Sequence, residues 1–356
     1  MKKIVAAVLF AGVASSVAVN AQLKNTPIPR AADGHPDLTG MYDLATMTPM
    51  ERPANMPAVM SDEEAAKRER EEAARVKALD VQLDGNRAAP PKGGDGSVGP
   101  AGNVGGYNNF WLDRGGAYSI VDGQRRTSIL IDPPDGRVPS LTPEARQRQA
   151  SRLAQFRAPT SDAGESGDPG LEPAGAYDDP ERRGLAERCL LGFGSTSGPP
   201  ILPNYFYNNL HQIVQTPTEI MILTEMVHDV RVVRMNAKHL PPTIRKWLGD
   251  SIGWWDGDTL VVETTNFTDK TRFRGSSPDM KITERFTRVD SKNLKYRFTV
   301  EDPSTWTKPW TGEYTWPATN ERMFEYACHE GNYALTNILK GARLREKATT
   351  DKQRER

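Results

Sequence analysis

Alternating polar residues in the second half of the chain are its clearest candidates for chemistry. Glu263 and Arg285 each lie in a stretch with a period of two, and Glu325 and His329 share one face of a third stretch. Because alternate residues of a strand point to the same face, a curled sheet could direct all four side chains into one hollow. The carboxylates and the histidine would then serve acid–base catalysis, and the guanidinium would hold an anionic substrate. The alternative is a ladder of solvated ion pairs on an outer face.

His228 is another candidate base, because it follows Glu225 closely and precedes Asp229 and Arg231. A histidine beside carboxylates can act as a general base or as one ligand of a metal ion. The alternative is a turn histidine at the start of a strand. None of the five histidines belongs to a His-Glu-x-x-His motif or another tight chelating pair, so no metal site is predicted. The candidate catalytic residues are His228, His329, Glu263 and Glu325.

Aromatic residues are concentrated near these polar positions. Tryptophans recur between residues 254 and 316, and aromatic walls with nearby charged groups suit sugars or planar organic ligands. Packing in the core is the alternative explanation for most of them. The candidate ligand-binding residues are Arg285, Glu284, Trp255, Trp306 and Asn332.

Motifs for other chemistries are incomplete. The segment 194–198 places Thr196 at the centre of Gly-Ser-Thr-Ser-Gly, where a nucleophile elbow needs serine, and no strand leads directly into a following helix. Gly192-Phe-Gly194 lacks the remainder of a dinucleotide or phosphate loop. The sequence therefore predicts neither a serine hydrolase nor a cofactor.

The first 21 residues are typical of a secretory signal peptide. Lys2 and Lys3 precede a small, apolar run, and Val19-Asn20-Ala21 fits the cleavage rule. Cleavage after Ala21 would leave 44 basic and 46 acidic residues, a formal net charge of −2. We expect a periplasmic or secreted protein. The near-neutral balance argues against a nucleic-acid partner, and no later segment is apolar for long enough to span a bilayer.

Short alternating stretches separated by turn residues, such as Asp122-Gly123, predict a mainly β fold. The phrase 36–42 predicts one short strand ending at Tyr42. Thr142 as a cap and Pro143 at the first helical position predict a second helix that runs to about Gln155. We expect an antiparallel barrel resembling lipocalins and other calycins, or a related sandwich, with a few short helices and long N-terminal loops. A faint repeat of Tyr107-Asn-Asn109 at Tyr207-Asn-Asn209 leaves a small propeller-like repeat as the alternative. The predicted organisation is a signal peptide (1–21), an extended Pro/Gly-rich region (22–106) with one charged helix (61–79), a single β-rich domain (107–345) and a disordered tail (346–356).

The chain has two cysteines, Cys189 and Cys328. In an oxidising compartment a single pair invites a disulfide, and the alternative is two separate buried thiols. A bridge would close a very long loop, for which loop entropy suggests an upper limit of roughly 4–5 kcal/mol of stabilisation.

Several phrases give the chain a wider resemblance. They are Asp132–Arg137, Leu141–Ala145, Arg188–Gly194, Gly253–Ser277, Val300–Trp306 and Tyr326–Tyr333. Together they resemble a family of uncharacterised secreted or periplasmic proteins of Gram-negative bacteria, over most of residues 36–345. The resemblance implies export and one globular unit, and it implies no catalytic residue, cofactor or substrate.

Three functions follow as hypotheses. The leading one is an exported barrel that binds a small organic molecule in its interior or at its mouth. The second is a cofactor-independent acid–base enzyme, such as a lyase, isomerase or hydrolase, that uses the histidines and glutamates above. The third is a structural or interaction module of the cell envelope.

Overall fold

The protein is mainly β, as the period-two pattern predicts. The computed structural model describes residues 28–79, 86, 112–157, 177, 179–192, 198–204, 207–271 and 273–354. The predicted signal peptide lies outside these residues, as does much of the predicted Pro/Gly-rich region between 80 and 106.

Thirteen strands are found in the described part of the chain, and ten of them form one sheet in the order β1-β6-β7-β8-β9-β10-β11-β12-β13-β5. A small sheet has the order β2-β4-β3. The strands are β1 (Gly40–Asp43), β2 (Val59–Met60), β3 (Ile120–Val121), β4 (Gln124–Arg126), β5 (Leu130–Asp132), β6 (Leu210–Gln215), β7 (Glu219–Thr224), β8 (Val230–Met235), β9 (Asp250–Asp256), β10 (Thr259–Thr265), β11 (Lys281–Arg288), β12 (Asn293–Glu301) and β13 (Trp310–Pro317).

The large sheet curls into a half-barrel. Neighbouring strands pair antiparallel except β8 and β9, which run parallel. At one end β1 comes close to the chain that leaves β13, through an isolated bridge between Tyr42 and Ala318. The propeller alternative is wrong, because a single continuous sheet replaces the separate blades that a propeller requires.

The core fills the concave face of this sheet. Alternate residues on β11 and β12 are buried, as are most residues of β13, and the register brings Phe286, Tyr296 and Tyr314 side by side across the three strands. Such cross-strand aromatic neighbours stabilise a sheet beyond the area that they bury. The odd-numbered residues of β11 and β12, such as Arg285 and Arg297, lie on the opposite, outward face.

Turn chemistry links the strands as the sequence predicts. Asp122 and Gly123 both have positive φ angles, which suits the tight β3–β4 hairpin. Between β11 and β12, the carboxylate of Asp290 accepts hydrogen bonds from the Lys292 amide and the Asn293 side chain. Both turns reverse the chain within a few residues, so the adjacent strands pair directly.

Among the described residues, three α-helices lie outside the sheet: α1 (Asp62–Leu79), α2 (Pro143–Arg157) and α3 (Tyr333–Arg354). The charged helix predicted over 61–79 is confirmed as α1, and Ser61 caps it by accepting from the Glu64 amide at 3.2 Å. The helix predicted to start at Pro143 is also confirmed, with Thr142 as its cap.

Two predictions near the end of the chain are wrong. The stretch 323–329 contains no strand, because β13 already has β12 and β5 as neighbours and the chain leaves the sheet after Pro317. Residues 346–354 continue α3 and do not form a disordered tail. A helix that has been nucleated extends readily through Glu, Lys, Ala and Arg, which all favour helix.

Cys189 and Cys328 form a disulfide, with their Cα atoms 5.7 Å apart and 139 positions apart in sequence. The bridge ties the segment between β5 and β6 to the segment between β13 and α3. None of the helices in the described ranges is long and apolar enough to cross a membrane.

Candidate functional site

The predicted convergence of Glu263, Arg285, Glu325 and His329 in one sheltered hollow is wrong. Glu263 and Arg285 lie on the convex face of the sheet, because the register places their neighbours Val262 and Glu284 on the buried face. Glu325 and His329 are exposed on the segment that follows β13. Arg285 donates to Asp256 at 2.6 Å, and both side chains are largely exposed.

Glu263 belongs instead to a polar cluster on the convex face. Its carboxylate lies 3.2 Å from Nε2 of His239, whose Nδ1 lies 3.1 Å from the carboxylate of Asp250. Burial opposes ionisation of Asp250, but the Leu240 amide, His239, Arg234 and Lys246 more than offset it. The pKa of this carboxyl therefore lies below its usual range. These contacts hold the connection between β8 and β9 against the sheet.

The structure tests only one of the two predicted histidine bases, because the side chain of His329 is described and that of His228 is not. His228 ends a short 3-10 helix, Met226–His228, and its side chain lies outside the described residues. His329 lies in an exposed turn between Cys328 and α3. Asn332, a candidate ligand-binding residue, caps α3 by accepting from the Leu335 amide, and it donates to the Glu187 carbonyl oxygen at 2.7 Å. Its contacts are therefore structural.

Glu284 lies inside the half-barrel, where it is fully buried. Its carboxylate pairs with both terminal nitrogens of Arg231, and it accepts a hydrogen bond of 2.7 Å from the Tyr296 hydroxyl. That hydroxyl in turn accepts from the Ile201 amide, while Tyr314 donates to the Ile201 carbonyl oxygen. Burial, followed by the charge of Glu284, raises the pKa of Tyr296 well above its usual value. The segment 198–204 thus fills the interior next to this pair.

The two candidate tryptophans have different surroundings. Trp306 is buried in the core and meets Trp310 edge to face at 5.5 Å, so packing accounts for it. Trp255 is half-buried and stacks on His35, with ring centroids 4.6 Å apart and planes only 4° from parallel. This stack fastens the N-terminal segment to the sheet, together with a pair between Arg30 and Asp258.

A concave site does exist at one end of the half-barrel, where β1 ends, β6 begins and β7 ends. We call it the mouth pocket. Its volume is about 450 Å³, within the range of small-molecule sites. The lining residues are Asp43, Asp113, Tyr207, Asn208, Asn209, Leu210, Glu225, Glu321, Arg322, Phe324, Glu325, Tyr326 and Ala327.

The mouth pocket is strongly acidic, because five carboxylates and only one guanidinium line it. Glu225 is the most deeply placed of the five, with 5 % of its surface exposed. Its carboxylate accepts a hydrogen bond from the Phe324 amide at 2.9 Å and a longer one from the Leu210 amide at 3.4 Å. Glu321 and Glu325 are exposed at the rim.

Asp43 shows the effect of this crowding. Burial, together with the charges of Asp113, Glu321 and Glu225, raises the pKa of Asp43 to about 6, although the hydrogen bond from the Ala45 amide acts in the opposite direction. A carboxyl that resists ionisation in this way lacks a cationic partner. The pocket therefore has a negative potential, because the single guanidinium of Arg322 balances only one of its five carboxylates.

Aromatic surface completes the lining. Tyr207 and Tyr326 stack with their ring centroids 6.3 Å apart and their planes 20° from parallel. Burial, followed by the neighbouring Tyr207, raises the pKa of Tyr326 to about 12. The Tyr326 ring thus stays neutral near pH 7, and the stacked pair offers aromatic surface to an organic ligand.

A second depression and the arrangement of potential metal ligands give weaker support for a functional site. A shallow depression of about 420 Å³ is lined by Arg245, but its guanidinium already donates to Phe267, Pro278 and Asp279. Within the ranges that the structure describes, no three His, Cys, Asp or Glu side chains are arranged to hold a metal ion.

Sequence reasoning identified one member of the mouth pocket, Glu325, and missed the others. Glu225 was noted only as a neighbour of His228, and Tyr207 only as part of a repeated phrase. Asp43 follows directly on the predicted strand at Tyr42. A carboxylate just beyond the end of a strand was the available signal, since such positions lie at the rim of a barrel.

Comparison of the chain with protein-family models, with curated proteins and with solved structures gave no match. The resemblance to exported Gram-negative proteins therefore stays a prediction, and the function has to be argued from the geometry.

Proposed function

We propose that the protein is an exported binding protein that takes up a small organic cation in the mouth pocket. The observation that carries this proposal is the imbalance of charge in the pocket, with five carboxylates against one arginine in about 450 Å³. A cleft lined by one sign of charge concentrates ligands of the opposite sign. The signal-like N-terminus and the disulfide support export.

The chemistry of the lining narrows the ligand class. An ammonium group can donate hydrogen bonds to the carboxylates of Asp43 and Glu225, and the faces of Tyr207 and Tyr326 suit its organic part. An anionic ligand would meet like charges from most directions. A neutral ligand would leave the repulsion at Asp43 in place.

Isothermal titration calorimetry with benzylamine and benzyl alcohol tests this proposal, because the two molecules share a ring and differ in charge. We expect benzylamine to bind and benzyl alcohol to bind much more weakly. Affinity for benzylamine should rise from pH 5 to pH 7, since Asp43, with its pKa of about 6, becomes charged over this range.

Substitutions of single carboxylates test whether benzylamine binds in the mouth pocket. Asp43→Asn and Glu225→Gln should each weaken benzylamine binding about 10- to 100-fold, the range for losing one charged hydrogen bond of about 1.5–3 kcal/mol. Glu263→Gln is the matched control, because it removes a carboxylate on the convex face and should leave affinity unchanged. Equal binding of the alcohol and the amine, or equal loss in all three variants, would refute the proposal.

Acid–base catalysis is a second candidate, favoured by one observation. A carboxyl with a pKa of about 6, such as that of Asp43, is half-protonated near pH 6 and keeps a protonated fraction closer to neutral pH, which suits a general acid. Mass spectrometry of ligands recovered after prolonged incubation separates the two candidates. A binding protein returns its ligand unchanged, whereas an enzyme returns a product that Asp43→Asn does not form.

A further inference from the structure

One side of the mouth pocket is formed by the segment 318–327, which we call the pocket wall. From residue 319 to residue 327 it contains neither helix nor strand, and Phe324 is 75 % exposed. Few contacts hold it. At its start, Ala318 bridges to Tyr42 and its amide donates to the Lys292 carbonyl oxygen. Beyond that point, the Thr319 amide donates to Met41, the Phe324 amide donates to Glu225, and the ring of Tyr326 stacks on Tyr207. Segments with so few buried contacts open at low cost in free energy.

The residue that follows the wall is Cys328, and its disulfide to Cys189 fixes the far end. Cys189 is buried and Cys328 is partly exposed. The segment around Cys189 is itself attached to the sheet side of the molecule, because Glu181 accepts from both Arg188 and Lys270. The wall is therefore held at Pro317 by the sheet and at Cys328 by the bridge.

The backbone at Cys189 supplies an independent observation. Its φ angle is +56°, in the left-handed region that residues other than glycine, asparagine and aspartate rarely adopt. Such a conformation persists only where surrounding contacts impose it. Opening the bridge would remove one of those contacts and let the segment around Cys189 relax away from the wall.

We propose that the Cys189–Cys328 disulfide is a redox-sensitive clamp that keeps the wall of the mouth pocket closed. This proposal rests on the proposed function, since the wall matters only if the pocket binds a ligand. A dithiol reductant opens the clamp. Its thiolate attacks the more exposed sulfur of Cys328, Cys189 leaves as a thiolate, and the second thiol of the reductant resolves the mixed disulfide. The protein gains two electrons and two protons, and the dithiol becomes a disulfide.

Opening the clamp lowers the affinity for a ligand, because it reduces the fraction of molecules whose pocket wall is closed. A ligand binds only molecules in which the wall is in place, so its apparent dissociation constant rises in inverse proportion to that fraction. If the wall of the reduced protein is closed in about one molecule in ten, the apparent dissociation constant rises about tenfold. By linkage, bound ligand slows the loss of the bridge in reductant.

Hydrogen–deuterium exchange of the full chain, oxidised and after dithiothreitol, tests the clamp without any ligand. We expect faster exchange in peptides covering 318–327, above all at the Phe324 amide, and unchanged exchange in β11 and β12. The double variant Cys189→Ser/Cys328→Ser should reproduce the reduced pattern without reductant. Unchanged exchange of the wall, or equal loss of protection in the strands, would overturn the proposal, because the bridge would then be either irrelevant to the wall or a staple of the whole fold.

Calorimetry with benzylamine on the same two states separates this proposal from the proposed function. Binding to the oxidised protein that weakens about tenfold on reduction supports both. If benzylamine fails to bind the oxidised protein while the wall still loosens on reduction, the clamp stands and the ligand class is wrong. If benzylamine binds both states equally, the clamp does not control the pocket.

Discussion

Two polar regions of this molecule treat charge in opposite ways. Inside the half-barrel, Arg231 and Glu284 are almost fully buried, and each faces a partner of opposite sign. At the mouth, Asp43 and Glu225 face other carboxylates. The interior group is thus neutral as a whole, whereas the mouth carries excess negative charge.

The difference separates a structural role from a binding role. Glu284 engages both terminal nitrogens of Arg231, so the charges of the interior pair neutralise each other. Removing one partner would leave an uncompensated charge in the core. Like charges at a rim destabilise one another until a cation or a proton arrives. Buried polarity alone therefore does not identify a site, and the sign of the neighbouring charges does.

The largest effect should come from breaking the interior pair. Glu284→Ala leaves Arg231 buried without its counter-ion, and we expect a loss of about 3–5 kcal/mol in the free energy of unfolding. Urea denaturation at pH 7 measures it. The control is the double variant Arg231→Met/Glu284→Leu, which removes both charges and should recover most of the loss. If Glu284→Ala is as stable as the wild type, the buried pair has no structural role.

A smaller effect of opposite sign is expected at the mouth. The pKa of Asp43 is raised from 3.8 to about 6, so between these pH values the folded state binds more protons than the unfolded state, and stability falls as pH rises. Asp43→Asn removes this cost. We expect the variant to be more stable than the wild type by about 1–2 kcal/mol at pH 7, after allowance for partial exposure. At pH 4 the two should be equally stable.

Thermal denaturation of both proteins from pH 4 to pH 7 provides the measurement. A wild type whose stability relative to Asp43→Asn does not change with pH would show that the carboxylates at the mouth do not repel one another.

The smallest effect should come from the convex face. Arg285 and Asp256 form an exposed pair, with 41 % and 62 % of their side chains exposed. Such pairs contribute little, so Arg285→Ala should change the free energy of unfolding by less than about 1 kcal/mol. It should also leave benzylamine binding unaltered in calorimetry. A marked loss of binding would show that the ligand reaches the convex face and that the mouth is not the site.

How far the sequence predicts this fold depends on how local each signal is. The capping residues Ser61 and Thr142 start helices where expected, and Asp122-Gly123 forms the expected hairpin. The stretch 323–329 has the same alternation as a strand but pairs with nothing. Alternation describes what a strand would look like, while pairing requires a free sheet edge at that place.

The candidate site was harder to predict for the same reason. Alternation correctly places Glu284 and Arg285 on opposite faces of the sheet, but it does not show which of the two faces becomes the interior. The acids of the mouth pocket come from four separate parts of the chain, around residues 43, 113, 225 and 321–325. No spacing rule connects such distant positions.

The sequence by itself determined the mainly β character, the first two helices, the turns and the presence of one cysteine pair, because each of these depends on residues that are neighbours along the chain or on composition. Only the tertiary structure decided that the pair is bridged, that Glu284 is a core residue, and that Asp43, Asp113 and Glu225 share a pocket. These outcomes depend on the curl of the sheet and on where its last strand ends, which bring together groups that are far apart in sequence.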